Sequence, residues 1–173
     1  LACGLLYASL AADRGERPRA AHLVAAFAAP VASLGAVILA SLVVFLAEWA
    51  IGWQFAGVDL LATDGDQALS PGDVLLIYAA GVAVSLPLTF VPMVALFEGA
   101  GVADSFAASV AAFRRNVGAF VLYGALSLAL LGLALVTMGI ILPVVLPLWA
   151  ASSYVAWKDI VGATAHAAGS VTP

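Results

Sequence analysis

The sequence is poor in charge. Only 9% of its 173 residues are Asp, Glu, Lys or Arg, and 65% are hydrophobic. Water-soluble domains carry about 25% charged and about 45–50% apolar residues. A chain of this length could not cover so much apolar surface in water, so its expected solvent is lipid. It also lacks a basic patch with interleaved aromatic residues, so nothing supports nucleic-acid binding.

Cysteine, histidine and catalytic motifs are scarce. Cys3 is the only cysteine, which excludes an internal disulfide and a metal site built from cysteines of one chain. The two histidines, His22 and His166, lie outside the apolar segments and are poor candidates for haem ligands. P-loop, G-x-S-x-G, H-E-x-x-H and C-x-x-C patterns are absent. No catalytic, cofactor-binding or metal-binding residue is predicted, and an enzyme is not expected.

What the chain has instead is a long uncharged run. No residue between Arg115 and Lys158 is charged. Because a bilayer-spanning helix needs only about 20 apolar residues, this run predicts two spans folded back on each other, over residues 118–136 and 140–157. The turn between them is expected at Thr137, Met138 and Gly139. The tail that follows is expected to be soluble.

Three earlier segments are predicted to enter the membrane, over residues 1–12, 31–51 and 74–97. As a helix the first would be about 18 Å long, shorter than a hydrocarbon core of about 30 Å. Either residues precede Leu1, or this helix crosses only part of the bilayer. Pro87 and Pro92 lack a backbone donor and are expected to kink the third segment. The predicted fold class is all-α, a single polytopic membrane domain of about five spans.

Two short amphipathic helices are predicted in the membrane interface, over residues 19–28 and 102–116. One face of the second carries apolar residues at helical spacing: Val102, Phe106, Val110, Phe113 and Val117. This face is expected to dip into lipid, while Arg114 and Arg115 meet headgroups. Other residues fall elsewhere on the helix: Asp104, Ser105, Ser109, Ala112 and Arg115.

An internal repeat is indicated at an offset of 86 residues, where residues 21–42 can be laid on 107–128. Each copy combines a short interfacial helix with a span that crosses in the same direction. This pattern predicts a parallel repeat, which some transporters use. The offset places the counterpart of 74–97 partly before Leu1, which favours a chain that begins upstream.

Charge is segregated along the chain. The loop over residues 52–73 holds four acidic residues and no Lys or Arg, and is predicted to lie outside. Every basic residue falls on the opposite side of the predicted spans: Arg14, Arg17, Arg19, Arg114, Arg115 and Lys158. The positive-inside rule makes that side, with the C-terminus, cytoplasmic. These six residues are the candidates for contacts with lipid headgroups.

Two carboxylates border the predicted spans. Glu48 lies beside Trp49 near the outer end of 31–51, either among headgroups, which position we favour, or lining a pore. Ionisable groups inside a membrane are costly and usually functional. Glu98 ends the segment 74–97, and we hypothesise an ion pair with Arg114 or Arg115. Hydroxyls within the spans are expected to serve helix–helix hydrogen bonds: Ser41, Ser85, Thr89, Ser127 and Thr137.

Three short motifs carry a family resemblance: RGERP over residues 14–18, SVAAFRRN over 109–116 and PLWAASSYVAWKDIV over 147–161. With them the chain resembles a group of small bacterial multi-pass membrane proteins of unknown function, some labelled cytochrome c oxidase subunit I-like. More distantly, it is similar to the membrane domain attached to some glycerophosphodiester phosphodiesterases. The resemblance implies a membrane fold in the bacterial inner membrane. The oxidase-labelled relatives tend to carry two histidines where this chain has Ala151 and Val155, which argues against a haem or metal role.

Three function classes follow. The expected one is a non-catalytic accessory, assembly or scaffold component that packs with lipids, other membrane proteins or itself. Its basis is the lack of intramembrane charge and a stripe of small residues at Ala32, Ala36 and Ala40. The alternative is a transporter or channel-like protein for a neutral or lipidic substrate, suggested by the parallel repeat and the proline-bearing spans. A membrane enzyme would need a polar cluster at one interface, which the sequence lacks.

Overall fold

The computed structural model describes residues 2–61 and 69–169, and gives only the backbone for Ala2, Ala26 and residues 162–169. Within these ranges the chain is helical and contains no β-strand. Eight α-helices are described: α1 Ala2–Asp13, α2 His22–Ala25, α3 Val31–Ile51, α4 Pro71–Ser85, α5 Val91–Phe97, α6 Val102–Arg115, α7 Val117–Val136 and α8 Leu142–Gly169. Asp64 and Asp66 of the acidic loop lie outside the described residues, as does the side chain of His166.

Three helical stretches are long and apolar enough to cross a membrane: Val31–Ala56, Pro71–Leu88 and Val117–Val136. They are consistent with a transmembrane protein. The first runs past Ile51, because a π-helical turn over Gly52–Ala56 continues α3 into the predicted loop. Helix α1, with 12 residues, is shorter than a span. Helix α8 continues past Lys158 to Gly169, and its uncharged part, residues 142–157, is about 24 Å long.

The predicted turn between α7 and α8 is confirmed. Met138 and Gly139 adopt φ values of 50° and 82°, a left-handed conformation that reverses the chain. The Gly139 N–H donates to the Ala134 carbonyl at 2.7 Å and so satisfies a terminal carbonyl of α7. Helix α8 then runs back along α7, since Tyr123 near the start of α7 shares a hydrogen bond of 2.8 Å with Ser153.

The predicted kink in residues 74–97 is a complete interruption. Helix α4 ends at Ser85, a 3-10 turn covers Leu86–Leu88, and α5 begins at Val91. Pro87 and Pro92 explain the break, because neither can donate the backbone hydrogen bond that would continue the helix. The expectation of one span over 74–97 is therefore corrected to two helices. Only the first of them, with the 3-10 turn, reaches membrane-spanning length.

The core gathers around the short helix α5. Val91 and Ala95 pack against Ala36 and Ala40 of α3, and all four are buried. A second cluster joins α5 to α1, α6, α7 and α8: Leu6, Phe90, Met93, Val94, Ala112, Phe120 and Tyr154. Two of the three alanines in the small-residue stripe of α3 thus serve packing inside this chain, while Ala32 is exposed. Outward-facing residues such as Leu122, which is 72% exposed, present apolar surface to the surroundings.

Helix α6 uses a different face from the one predicted. Its buried residues are Ser105, Ser109 and Ala112, and Ser105 and Ser109 are at most 1% exposed. Val102, Phe106, Val110 and Phe113 are half-buried at the sides of this face. The apolar residues thus flank the buried face, and their contact with lipid stays a prediction. Small side chains let α6 approach α5 closely, and this contact outweighs the helical hydrophobic pattern.

The ends of α1, α5 and the middle of α8 meet at one end of the bundle. Lys158 Nζ lies 2.7 Å from Asp13 Oδ1, and the Tyr154 hydroxyl donates to Asp13 Oδ2 at 3.1 Å. The Phe97 ring lies 5.4 Å from that of Tyr7. We call this the basic end, because Lys158 lies there and Arg14 directly follows α1. The hypothesised ion pair of Glu98 with Arg114 or Arg115 is not formed in the described part of the chain.

The two copies of the proposed repeat differ in their interfacial helices. Over residues 19–28 the structure has only the four-residue α2 and a 3-10 turn, Ala26–Ala28. The corresponding helix α6 has 14 residues. Helix α2 packs against α1, where Gly4 allows close approach, because a Cβ there would overlap the Leu23 backbone. The order of elements agrees between the copies, but their lengths do not.

Candidate functional site

A groove of about 450 Å³ lies between α3, α4, α7 and α8. We call it the central groove. It begins beside Glu48 of α3 and reaches Pro92 at the start of α5. Apolar side chains and hydroxyl groups share its lining: Ala40, Ser41, Val44, Phe45, Glu48, Tyr78, Gly81, Val82, Ser85, Leu86, Leu88, Thr89, Pro92, Tyr123, Ser127 and Trp149. A concave, mostly apolar space with a few polar groups is the usual form of a ligand site.

Most hydroxyls in the central groove are already hydrogen-bonded. The Ser85 hydroxyl donates to the Val82 carbonyl at 2.9 Å, and the Ser127 hydroxyl donates to the Tyr123 carbonyl at 2.8 Å. Thr89 Oγ1 donates to the Leu86 carbonyl at 2.9 Å. These bonds stay within a helix or its continuing turn. The expectation that these three hydroxyls join neighbouring helices is therefore corrected, while the Ser41 hydroxyl has no hydrogen bond among the described residues.

Glu48 is the acidic side chain among the residues that line the groove. It lies about 12 Å from the Ala56 end of its helix, at about 1.5 Å per residue, with its side chain half-buried. Its carboxylate lies against Gly81 of α4, where a Cβ would overlap Oε1. Within residues 2–61 and 69–169, no hydrogen bond or ion pair involves Glu48, and none involves the Tyr78 hydroxyl. Glu48 therefore lines the central groove, and its expected position among the headgroups stays a prediction.

Trp49, the residue after Glu48, is held by a hydrogen bond to the loop that follows its helix. The Trp49 indole N–H donates to Asp59 Oδ1 at 2.9 Å, which ties the end of the span to the acidic loop. This hydrogen bond is the main reason that the pKa of Asp59 lies below its usual value. Trp49 also stacks at a tilt on Trp53, with ring centroids 6.3 Å apart. The indole therefore fixes the rotation of α3 about its axis, and with it the direction of Glu48.

Ser109 of α6 stabilises the break between α4 and α5, and residues of this break line part of the groove. Its hydroxyl donates to the Pro87 carbonyl at 2.8 Å and accepts the Phe90 N–H at 3.0 Å. Both backbone groups lost their helical partners when the helix was interrupted. One buried hydroxyl thus satisfies a donor and an acceptor that are separated from it by about twenty residues of sequence. Sequence periodicity carries no signal for such a long-range contact.

The predicted headgroup contacts lie at exposed positions. Arg14, Arg17 and Arg19 follow α1, and Arg114 and Arg115 end α6, all with exposed side chains. Arg17 and Arg19 border a shallow pocket of about 300 Å³ with Glu16 and His22. The His22 ring is engaged locally, since its Nδ1 accepts the Arg19 N–H at 3.0 Å.

Lys158 differs from the five arginines because its ammonium group is paired with Asp13. The hydrogen bond to Asp13 raises the pKa of Lys158 above its usual value. The ion pair between Lys158 and Asp13 therefore joins α8 to α1. Its predicted role as a headgroup contact stays untested, but its main partner in the structure is protein.

Three comparisons of the chain with known proteins found no match. No family model matches the chain, and no curated protein or solved structure matches it. The resemblance drawn from the three short motifs stays a prediction.

Proposed function

We propose that the chain is a multi-pass membrane protein that takes a neutral or lipidic amphiphile into the central groove, as a transporter or channel-like protein. The observation that carries this proposal is the groove itself. It is open on one side, bordered by membrane-length helices, and combines apolar walls with Glu48 and Tyr78. Such a lining suits a molecule with an apolar tail and a polar head.

The accessory or scaffold role receives less support. One of its two bases was the small-residue stripe, but Ala36 and Ala40 are buried against α5 of the same chain. Of the three alanines in the stripe, only Ala32 is exposed to another subunit. Association with membrane proteins stays a prediction, and the groove makes ligand binding the better-supported function.

The proposed setting is the bacterial inner membrane, with five spans and a cytoplasmic C-terminus. The hairpin of α7 and α8 supports the return crossing, because Ser153 near Lys158 meets Tyr123 near the start of α7. The contact of Lys158 with Asp13 supports placing the loop after α1 on the same side as the tail. Helix α1 would then be a partial first span.

A photo-crosslinking experiment tests the proposal. The protein is reconstituted in vesicles with a phospholipid that carries a diazirine in its acyl chain, and crosslinked peptides are mapped by mass spectrometry. We expect enriched crosslinks to α3 and α4 beside the groove, and their loss in Val44→Trp, which fills it. Leu122→Trp, on the exposed face of α7, is the matched control and should change nothing. Uniform labelling, unaffected by Val44→Trp, would overturn the proposal.

A further inference from the structure

We infer that the ligand head recognised in the central groove carries an ammonium group, which binds between the Glu48 carboxylate and the aromatic rings of the lining. This inference rests on the proposed function and names its ligand class. An amphiphile with a protonated amine and an apolar tail is the chemistry that the described side chains match.

Glu48 places an unpaired carboxylate in the groove. Glu48 lies within a membrane-length helix and has no protein partner in the described part of the chain. Burying an ionised carboxylate without a partner is costly, so ionisable groups in spans pair with another charge or serve a ligand. Since the described residues supply no cation to Glu48, a ligand cation is the partner that completes it.

Aromatic side chains form part of the groove's lining. Four rings line the same groove as Glu48: Phe45, Tyr78, Tyr123 and Trp149. Aromatic faces attract ammonium groups through their quadrupole, more strongly where water is excluded. A carboxylate together with several rings therefore favours a cation over a hydroxyl group of the same size.

The lining of the groove disfavours a ligand with an anionic head. None of the residues that line the central groove is Lys, Arg or His. The carboxylate repels an anionic head, and no basic group offsets it. The apolar side chains beside Glu48, among them Val44 and Val82, provide contact for an alkyl tail. The volume of about 450 Å³ suits a headgroup with the first part of its chain.

Gly81 shows that this arrangement depends on a specific close contact. The Glu48 carboxylate occupies the space that a side chain at position 81 would fill. Glycine at this position lets the carboxylate lie flat against α4 and face the groove. The ammonium site is therefore built from α3 and α4 together.

Binding of dodecylammonium is the direct test. The protein is placed in nanodiscs of a zwitterionic phosphatidylcholine, and saturable binding of radiolabelled dodecylamine is measured at neutral pH above the background of empty discs. We expect one site per chain, with affinity at least about tenfold lower in Glu48→Gln. Glu98→Gln removes a carboxylate outside the groove and should bind as the wild type does. Monodispersity and helical content check that each variant is folded.

Dodecanol separates the outcomes. If the protein binds the alcohol as tightly as the amine, and Glu48→Gln changes neither, the ammonium inference is overturned while ligand binding in the groove stands. If neither compound saturates and the photo-lipid shows no groove crosslinks, both proposals fail. Retention of amine binding in Glu48→Asp, with loss in Glu48→Gln, would support the charge as the recognised feature. Reduced binding in Tyr78→Leu, with Glu48 intact, would support the aromatic contribution.

Discussion

At the scale of single residues, Ser109 shows how one side chain can hold an interrupted span. The residue is 1% exposed, and its hydroxyl bonds two backbone groups of the break. Ser109→Ala would leave the Pro87 carbonyl and the Phe90 N–H buried without partners. We expect a loss of about 1–3 kcal/mol in unfolding free energy, measured by titration with sodium dodecyl sulfate in mild detergent micelles.

Ser152→Ala is the control for Ser109→Ala. The Ser152 side chain is exposed, and its hydroxyl donates to the Trp149 carbonyl of its own helix at 3.0 Å. This variant should stay within about 0.5 kcal/mol of the wild type. Equal effects of the two substitutions would mean that the break needs no support from α6.

A second prediction at this scale concerns Gly81. Gly81→Ala should cost about 1 kcal/mol or more, because the new Cβ displaces the Glu48 carboxylate. In a Glu48→Ala background the same change should be neutral or stabilising by up to about 1 kcal/mol, since alanine favours helix. A double-mutant cycle measured by detergent unfolding gives the coupling energy.

Gly132 in α7 is the matched glycine, since a Cβ there would meet no atom within 4 Å. Gly132→Ala should combine additively with Glu48→Ala. A coupling near zero for Gly81 as well would contradict the close contact that defines the groove.

At the scale of helices, the sequence predicted breaks better than faces. Pro87 and Pro92 predicted a kink at the place where the structure has a break, and the turn at Thr137 to Gly139 was located correctly. Local backbone chemistry decides both positions. The buried face of α6 was missed. Its position depends on Ser109 meeting Pro87, a tertiary contact that overrides helical hydrophobic periodicity.

Helices α1 and α8 supply a prediction about pH. Lys158 is the main reason that the pKa of Asp13 lies below its usual 3.8, and Asp13 raises that of Lys158 above 10.5. The carboxylate therefore contributes its stabilisation above about pH 4 and loses it as pH falls through the lowered value. The ammonium contributes below about pH 10.5 and loses its share as pH rises through the raised value.

Thermal unfolding of the wild type and Asp13→Asn in detergent, followed from pH 3 to 7, tests this link. The wild type should be the more stable at pH 7, and the two should converge as pH falls below about 4. Asp104→Asn removes an exposed carboxylate of α6 and should run parallel to the wild type. A constant difference between wild type and Asp13→Asn across the range would rule out the ion pair as its cause.

At the scale of the molecule, composition was enough to predict an all-helical chain with membrane-length helices. The groove could not be predicted from the sequence, because its shape depends on how four helices pack together. Glu48 was the available signal, a lone carboxylate in a predicted span. Pairing it with Gly81 needs the register of α3 against α4, which periodicity does not supply.

The arrangement of the whole chain across the bilayer yields the last prediction. Starting from Cys3→Ser, single cysteines are placed by Arg14→Cys, Arg114→Cys and Leu61→Cys, all at exposed positions. A membrane-impermeant maleimide should label positions 14 and 114 from the cytoplasmic side, and position 61 from the opposite side. Right-side-out and inverted vesicles give the two measurements.

The contact between Asp13 and Lys158 sharpens what this labelling can decide. Because Asp13 adjoins Arg14, the end of α1 and residue 158 of α8 must lie on one side. Helix α7 begins at Val117, two residues after Arg115, and α8 returns beside it to Ser153. Labelling of positions 14 and 114 from opposite sides would require α8 to end away from the start of α7. The observed hydrogen bond between Tyr123 and Ser153 forbids that geometry, so such a result would refute the five-span topology and the bundle together.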